Sequence, residues 1–148
     1  MPHPVTADRA AGSLIAMAIG DSLGFLIAGE SPRYCADFAS HSLAVDDPPW
    51  LERDEHAFGQ YGADTQLARE LGLSIVAARG FTPVLFAARV AALFRGGHAL
   101  GAGNTTSRAG RRLVGGMVWA QSGEPAPASG NGPAVRAVPV GLTFQRAD

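Results

Sequence analysis

Lysine is absent from this chain: all 12 basic residues are arginine. That absence excludes a phosphate-loop lysine, a Schiff-base lysine and a pyridoxal phosphate anchor. Cysteine is nearly absent as well. Cys35 stands alone, so no intrachain disulfide can form, and a reducing, cytoplasmic setting is expected. The histidines His3, His41, His56 and His98 are widely separated and match no metal-binding spacing. Excess charge is lacking too. A net charge of −1 gives no electrostatic ground for a nucleic-acid partner. The longest apolar stretch, residues 13–28, is short and interrupted by Asp21 among glycines, which argues against a signal peptide or a membrane span.

What is present describes a globular protein. At 148 residues the chain has the length of one domain, spanning 1–148, with enough sequence to bury a core. Apolar residues make up 47% and charged residues 17%, the latter below the usual quarter. No segment alternates apolar and polar residues as a half-buried strand would, and every long segment has helical period, so the fold class read here is all-α. Residues 39–63 are expected to form a long polar loop. It carries Pro48-Pro49 and the acids Asp46, Asp47, Glu52, Asp54 and Glu55, read as a solvated surface.

The stretch from Gly59 to Ile75 organises the chain. A polar turn leads into a helix in which Leu67, Leu71 and Ile75 recur every fourth residue, and Ala68 and Ala78 widen the same face. Either Asp64 or Thr65 is expected to cap it. That places a carboxylate and a hydroxyl at a helix start, with the helix predicted to run to Arg79 and stop at Gly80.

Other helices follow from similar signals. Thr6 is expected to cap a helix from Ala7 to about Leu26, with Leu14, Ala18 and Leu23 inward; within it, Asp21 is either a satisfied acid or a site residue. Residues 29–37 read as loop, with a short helical turn near Tyr34–Phe38. Thr82-Pro83 marks a start that continues to Arg95, with Leu85, Val90, Leu93 and Phe94 as core. Thr105 or Thr106 is expected to cap a helix reaching about Gln121, carrying Arg108, Arg111 and Arg112 early and Leu113, Met117 and Val118 as apolar contacts. Asn131-Gly132 marks a turn, and a last helix is predicted from Pro133 through Leu142. The lone Gly101-Ala102-Gly103 follows no strand pattern, so a dinucleotide-binding reading is rejected.

Three stretches together carry a resemblance: Gly20-Asp21-Ser22-Leu23-Gly24; Gly59 to Ala68; and Ser129-Gly130-Asn131-Gly132 with the segment through Leu142. In this order and spacing they resemble the ADP-ribosylglycohydrolase family, which includes the dinitrogenase reductase-activating glycohydrolases. The resemblance covers nearly the whole chain and about the N-terminal half of a typical member. It implies an all-helical fold and a metal-dependent hydrolysis of ADP-ribose from a protein side chain or small acceptor, with magnesium or manganese as cofactor. In the family a Thr-Asp-Asp triplet opening a helix and a later Asp-x-Asp-Thr motif hold two ions, a glutamate after the Gly-Asp motif often takes part, and the Ser-Gly-Asn-Gly stretch borders the ADP-ribose. Such ions prefer oxygen ligands in near-octahedral order and can activate a water.

By this resemblance the metal candidates are Asp64 and Thr65, and the catalytic candidates are Asp64 and Asp21. Ser129, Gly130, Asn131, Gly132 and Arg136 become the substrate-binding candidates. The sequence departs from the family where it matters. Gly62-Ala63-Asp64 stands in place of Thr-Asp-Asp, Ala28 stands where the glutamate is usual with Glu30 two residues on, and Asp148 is reached before any Asp-x-Asp-Thr. The resemblance therefore implies impaired or lost activity. A non-catalytic ADP-ribose-binding or interaction module is the alternative, as is a fragment without function. The partners implied are ADP-ribose or an ADP-ribosylated protein, with self-association or a second chain covering faces the missing half would have covered.

Overall fold

The computed structural model describes residues 5–42, 59–128 and 130–144, and every regular element among them is helical. The first helix, α1 (Ala7–Phe25), starts as expected. Thr6 Oγ1 accepts the Arg9 N–H at 3.3 Å, and the helix ends one residue short of the predicted Leu26. The segment expected as loop is instead largely helical. Ser31 Oγ accepts the Tyr34 N–H at 3.2 Å and Pro32 occupies the first turn of α2 (Pro32–Asp37). Serine followed by proline is a strong start signal, because proline lacks the N–H that a first turn cannot satisfy. The chain continues into a π-helical turn (Phe38–Ser42), so the expected 39–63 loop begins inside helix. Its acidic cluster at 46–55 lies outside the described residues.

The central element is α3 (Ala63–Ala78), which lies against α1, α4, α7 and α8. Its predicted face is confirmed at Leu67, Ala68, Leu71 and Ile75, all buried. Ala78 is exposed, a correction that follows from its place in the last turn. Neither Asp64 nor Thr65 caps the helix. The N-cap is Gly62, two to three residues earlier, and it has no side chain to offer. Arg79 ends the helix in the left-handed conformation at φ 53°, a role expected of Gly80.

Beyond α3 the chain forms α4 (Pro83–Arg95), α5 (Asn104–Val114), α6 (Trp119–Ser122), α7 (Gly132–Val135) and α8 (Val138–Thr143). Thr82 precedes α4, but its side chain makes no capping bond. The start of α5 is one residue before the predicted threonines, at Gly103-Asn104. Its predicted run to Gln121 breaks at Gly115-Gly116, where Gly116 takes φ 87°. The predicted last helix is also split. Pro139 has no N–H to donate to Val135, so the first piece stops there and the proline opens α8.

The core is built where α3, α4 and α5 meet. Ala63, Leu67 and Val90 are buried together, with Phe86, Leu93, Phe94, Ala102 and Leu113 packed on them. A Cβ at Gly110 would lie 2.5 Å from the Phe94 ring, so α5 can approach α4 this closely only through a glycine. Glu70 ties α3 to α4, accepting from Arg69 at 2.6 Å and from Arg89 at 3.0 Å. Glu124 accepts from Arg108 at 2.9 Å and Arg112 at 2.8 Å, fastening the chain after α6 to α5. By contrast α1 has no buried residue. Leu14, Ile15 and Ile19 are exposed, so the expected inward face of α1 is only partly covered. Met117 and Val118 are exposed too, because the helix that would have carried them inward has ended. No helix among the described residues is long and apolar enough to cross a membrane.

Candidate functional site

The first turn of α3 takes its cap from elsewhere in the chain. Asp21, near the end of α1, accepts through one oxygen, Oδ2, from the Gly62 N–H at 2.9 Å and the Thr65 N–H at 3.0 Å. A carboxylate at a helix N-terminus is favoured by the free N–H groups and by the helix dipole. The Ala63 N–H donates to the Leu100 carbonyl at 2.6 Å, and the Leu100 N–H returns a bond to Gln66 Oε1 at 3.1 Å. Ser22 Oγ donates to the Gly59 carbonyl at 3.2 Å, and Gln60 Nε2 donates to the Tyr61 carbonyl at 2.7 Å. The end of α1, the turn before α3 and the 98–103 loop are thus joined at one point.

Phe25 makes that junction tight. A Cβ at Gly62 would stand 3.2 Å from the Phe25 ring, 3.2 Å from Asp21 Oδ1 and 3.4 Å from the Leu100 carbonyl. The backbone at Gly62, φ −86° and ψ −171°, suits any residue, so the constraint is space rather than conformation. Gly101 is constrained twice: it has φ 66°, and a Cβ there would lie 2.8 Å from the same ring.

Beside the junction opens a cleft of about 360 Å³. It is lined by Ala63 and Asp64 from α3, Gly101 to Thr106 at the start of α5, and Gly130, Asn131 and Gly132. Residues more than sixty positions apart in sequence share this space. A second hollow of about 390 Å³ adjoins it across Thr105, Thr106, Gly130 and Gly132, and Arg136 lines its wall. The Arg136 guanidinium folds back over the loop, 3.1 Å from where a Cβ of Gly132 would stand. Among the described residues it has no hydrogen-bond or ion-pair partner, and Asp64 is the charge that acts on it.

The electrostatics follow from this arrangement. Burial, and then the negative charge of Asp21, push the Asp64 carboxyl above its ordinary value, while Arg136 pulls part of that back. Burial lowers Arg136 below the ordinary arginine value and Asp64 opposes the change. An arginine so shifted is still a cation at neutral pH. At the far wall Glu124 is held below the ordinary glutamate value, chiefly by its hydrogen bond from Arg108. Thr65 is 5% exposed, and its Oγ1 is buried without a hydrogen-bond partner. The Asn131 side chain makes no capping bond to α7.

The family model that matches the chain, over residues 2–148, is ADP-ribosylglycohydrolase. The chain belongs to the ADP-ribosylglycohydrolase family. No curated protein matches it. Of the residues singled out from the sequence, the fold brings Asp64, Gly130, Asn131 and Gly132 into one cleft, with Arg136 at its margin. Asp21 stands against the α3 end of that cleft, where its carboxylate is bonded to backbone. Thr65 sits buried in the first turn, and Ser129 lies outside the described residues.

The residues that sequence reasoning missed are Phe25, Gln66, Leu100 and Gly101. Nothing local marks Leu100, whose contribution is a backbone carbonyl and N–H. At Gly62 the sequence shows an absent ligand, whereas the close approach of Asp21 and Phe25, each 3.2 Å from a Cβ position there, shows only in the tertiary structure. The ADP-ribosylglycohydrolase family is generally metal-dependent, which makes the donor set here worth testing against a cation. Among the described residues no three His, Cys, Asp or Glu side chains gather where they could hold an ion. The present donors are one carboxylate at Asp64, an orphan hydroxyl at Thr65 and an Asp21 already engaged, in the field of a guanidinium. A hard divalent cation asks for about six oxygens with several anionic ones among them, and this set does not supply them.

Proposed function

We propose that this member of the family keeps an ADP-ribose-binding cleft while its hydrolytic activity is impaired or lost. The observation that carries the reading is the meeting of the Gly130-Asn131-Gly132 loop and Arg136 with the start of α3. Glycines in such a loop let backbone N–H groups approach a diphosphate closely, and an unpaired guanidinium matches phosphate in charge and geometry. Asn131 offers an uncommitted amide for a ribose or phosphate oxygen. Asp64, with a raised pKa and a place on the cleft wall, is the carboxylate among the described residues that is positioned for proton transfer. Among the described residues no group of carboxylates joins it to hold an ion that would orient a ribose and activate water.

Two measurements test this. Isothermal titration calorimetry with ADP-ribose is expected to give saturable binding, weakened about tenfold by Asn131→Ala, the loss of roughly one net hydrogen bond. Equal binding in that variant would remove the loop from the site. Release of ADP-ribose from an ADP-ribosylated protein is expected to stay at background with magnesium or manganese present. Sustained metal-dependent turnover would refute the impairment.

A further inference from the structure

We propose that the first turn of α3 is closed to divalent cations by its own contacts, with Arg136 supplying the positive charge that Asp64 faces. The cleft therefore takes its nucleotide ligand without a metal. The part concerning the ligand rests on the reading above; the closure does not.

Three observations carry it. First, Asp21 is held in place by the backbone N–H groups of the turn. The Gly62 and Thr65 N–H groups go to Asp21 Oδ2, and the Ala63 N–H goes to Leu100. Asp21 could turn toward an ion only by abandoning two charge-assisted bonds to a helix end, each stronger than a neutral bond. Its other oxygen, Oδ1, faces the α-carbon of Gly62, 3.2 Å from the position of a Cβ there. Second, space for a side chain at 62 is tight. Phe25 and Asp21 close on the glycine from two directions, and any Cβ would press on both at 3.2 Å. A threonine at 62 could present its oxygen only if Phe25 and Asp21 first gave way by a few tenths of an ångström. Third, a cation already stands at the margin of the cleft: Arg136 lines the adjoining hollow, folded back over Gly132. Asp64 faces Arg136, which among the described residues has no other partner. A divalent ion entering beside Asp64 would be repelled by that guanidinium, since like charges in a half-buried site repel strongly.

Manganese is the probe, because its free and bound forms are separated by electron paramagnetic resonance. The full chain is expected to show no saturable Mn2+ binding up to about 1 mM, the weak end of dedicated oxygen-donor sites. Saturable binding that disappears in Asp64→Asn would overturn the closure. Binding that persists in Asp64→Asn would place the ion elsewhere and uphold it. Gly62→Thr adds a second arm: it is expected to lower the melting temperature and to gain no Mn2+ affinity. Should it bind Mn2+ more tightly than the parent chain, the tight-corner argument fails, and Gly62→Ser, with the smallest oxygen-bearing side chain, repeats that comparison if the threonine variant does not fold. In calorimetry, ADP-ribose is expected to bind with the same Kd in EDTA and in Mn2+. A Kd that tightens with Mn2+ would overturn metal-independent binding. Absence of ADP-ribose binding in both buffers would defeat the functional reading instead, and the Mn2+ titration would still decide the closure.

Discussion

Two glycine-rich helix entrances face the same cleft, and they are finished in opposite ways. The entrance to α3, at Gly62, has its free N–H groups satisfied by Asp21 from α1 and by Leu100 from the 98–103 loop. The entrance to α7, at Asn131-Gly132, has no side-chain cap, and Gly130 and Asn131 are exposed. Glycine serves both, for different reasons. At 62 it makes room for a carboxylate and an aromatic ring; at 130 and 132 it brings backbone to the cleft wall beside an arginine that has no bonding partner among the described residues. The difference teaches that glycine content alone does not mark a ligand site. What decides is whether another part of the chain arrives to use the donors.

Substitutions at the two entrances should therefore have different consequences. The largest effect is expected for Asp21→Ala. It strands two half-buried N–H groups and removes a cap, a loss of about 3 kcal/mol in urea denaturation. Asp21→Asn keeps an acceptor and should recover roughly half of that. If both variants are as stable as the parent chain, the closed entrance has no energetic content. At the open entrance, Arg136→Gln is expected to weaken ADP-ribose binding about 10–100-fold, the scale of a charged hydrogen bond. Folding stability should change little, since among the described residues the guanidinium has no bonding partner to lose. A large stability loss with unchanged binding would reverse the comparison.

Gly62→Thr comes next. Threonine at an N-cap improves on glycine by only a few tenths of a kcal/mol, whereas forcing atoms into a packed corner costs about 1–3 kcal/mol. Overpacking should win, and the melting temperature should fall. The smallest effect is expected for Asp64→Asn, and its sign depends on pH. With its native pKa raised, Asp64 contributes most to stability while protonated. That contribution is full below the ordinary value of 3.8 and is lost as pH rises through the native value. The asparagine variant does not titrate, so it should melt slightly higher than the parent at pH 7, with the gap closing as the pH falls toward 3.8. A gap independent of pH would show that Asp64 is not destabilised by burial and Asp21.

Much of this was legible in the sequence where a rule is local. The buried face of α3 followed from the spacing of Leu67, Leu71 and Ile75, because a helix places every fourth residue on one side. The cap at Thr6 followed from residue type and position. Errors gathered where local signals compete. Thr105 and Thr106 have the chemistry of caps, yet α5 begins at Asn104, since Gly103 already has the extended backbone an N-cap requires. Asp64 and Thr65 also have that chemistry, but both lie inside α3, whose cap comes from 41 residues upstream. The aliphatic run in α1 predicted an inward face that the described residues cover only in part. Of the site, residue types were readable at Asp64, at Gly130 to Gly132 and at Arg136, while their sharing of one cleft was not.

By itself the sequence determined an all-helical chain, the apolar stripe of α3, the absence of lysine and disulfide chemistry, and a set of residue types that place it with the ADP-ribosylglycohydrolases. These are consequences of periodicity and composition, which operate within a few residues of chain. Tertiary structure alone decided that Asp21 caps α3, that Phe25 fills the space beside Gly62 and Gly101, and that Arg136 is the charge Asp64 faces. Each is a contact between segments distant along the chain, and its strength depends on distances of a few ångströms that no local spacing rule can set.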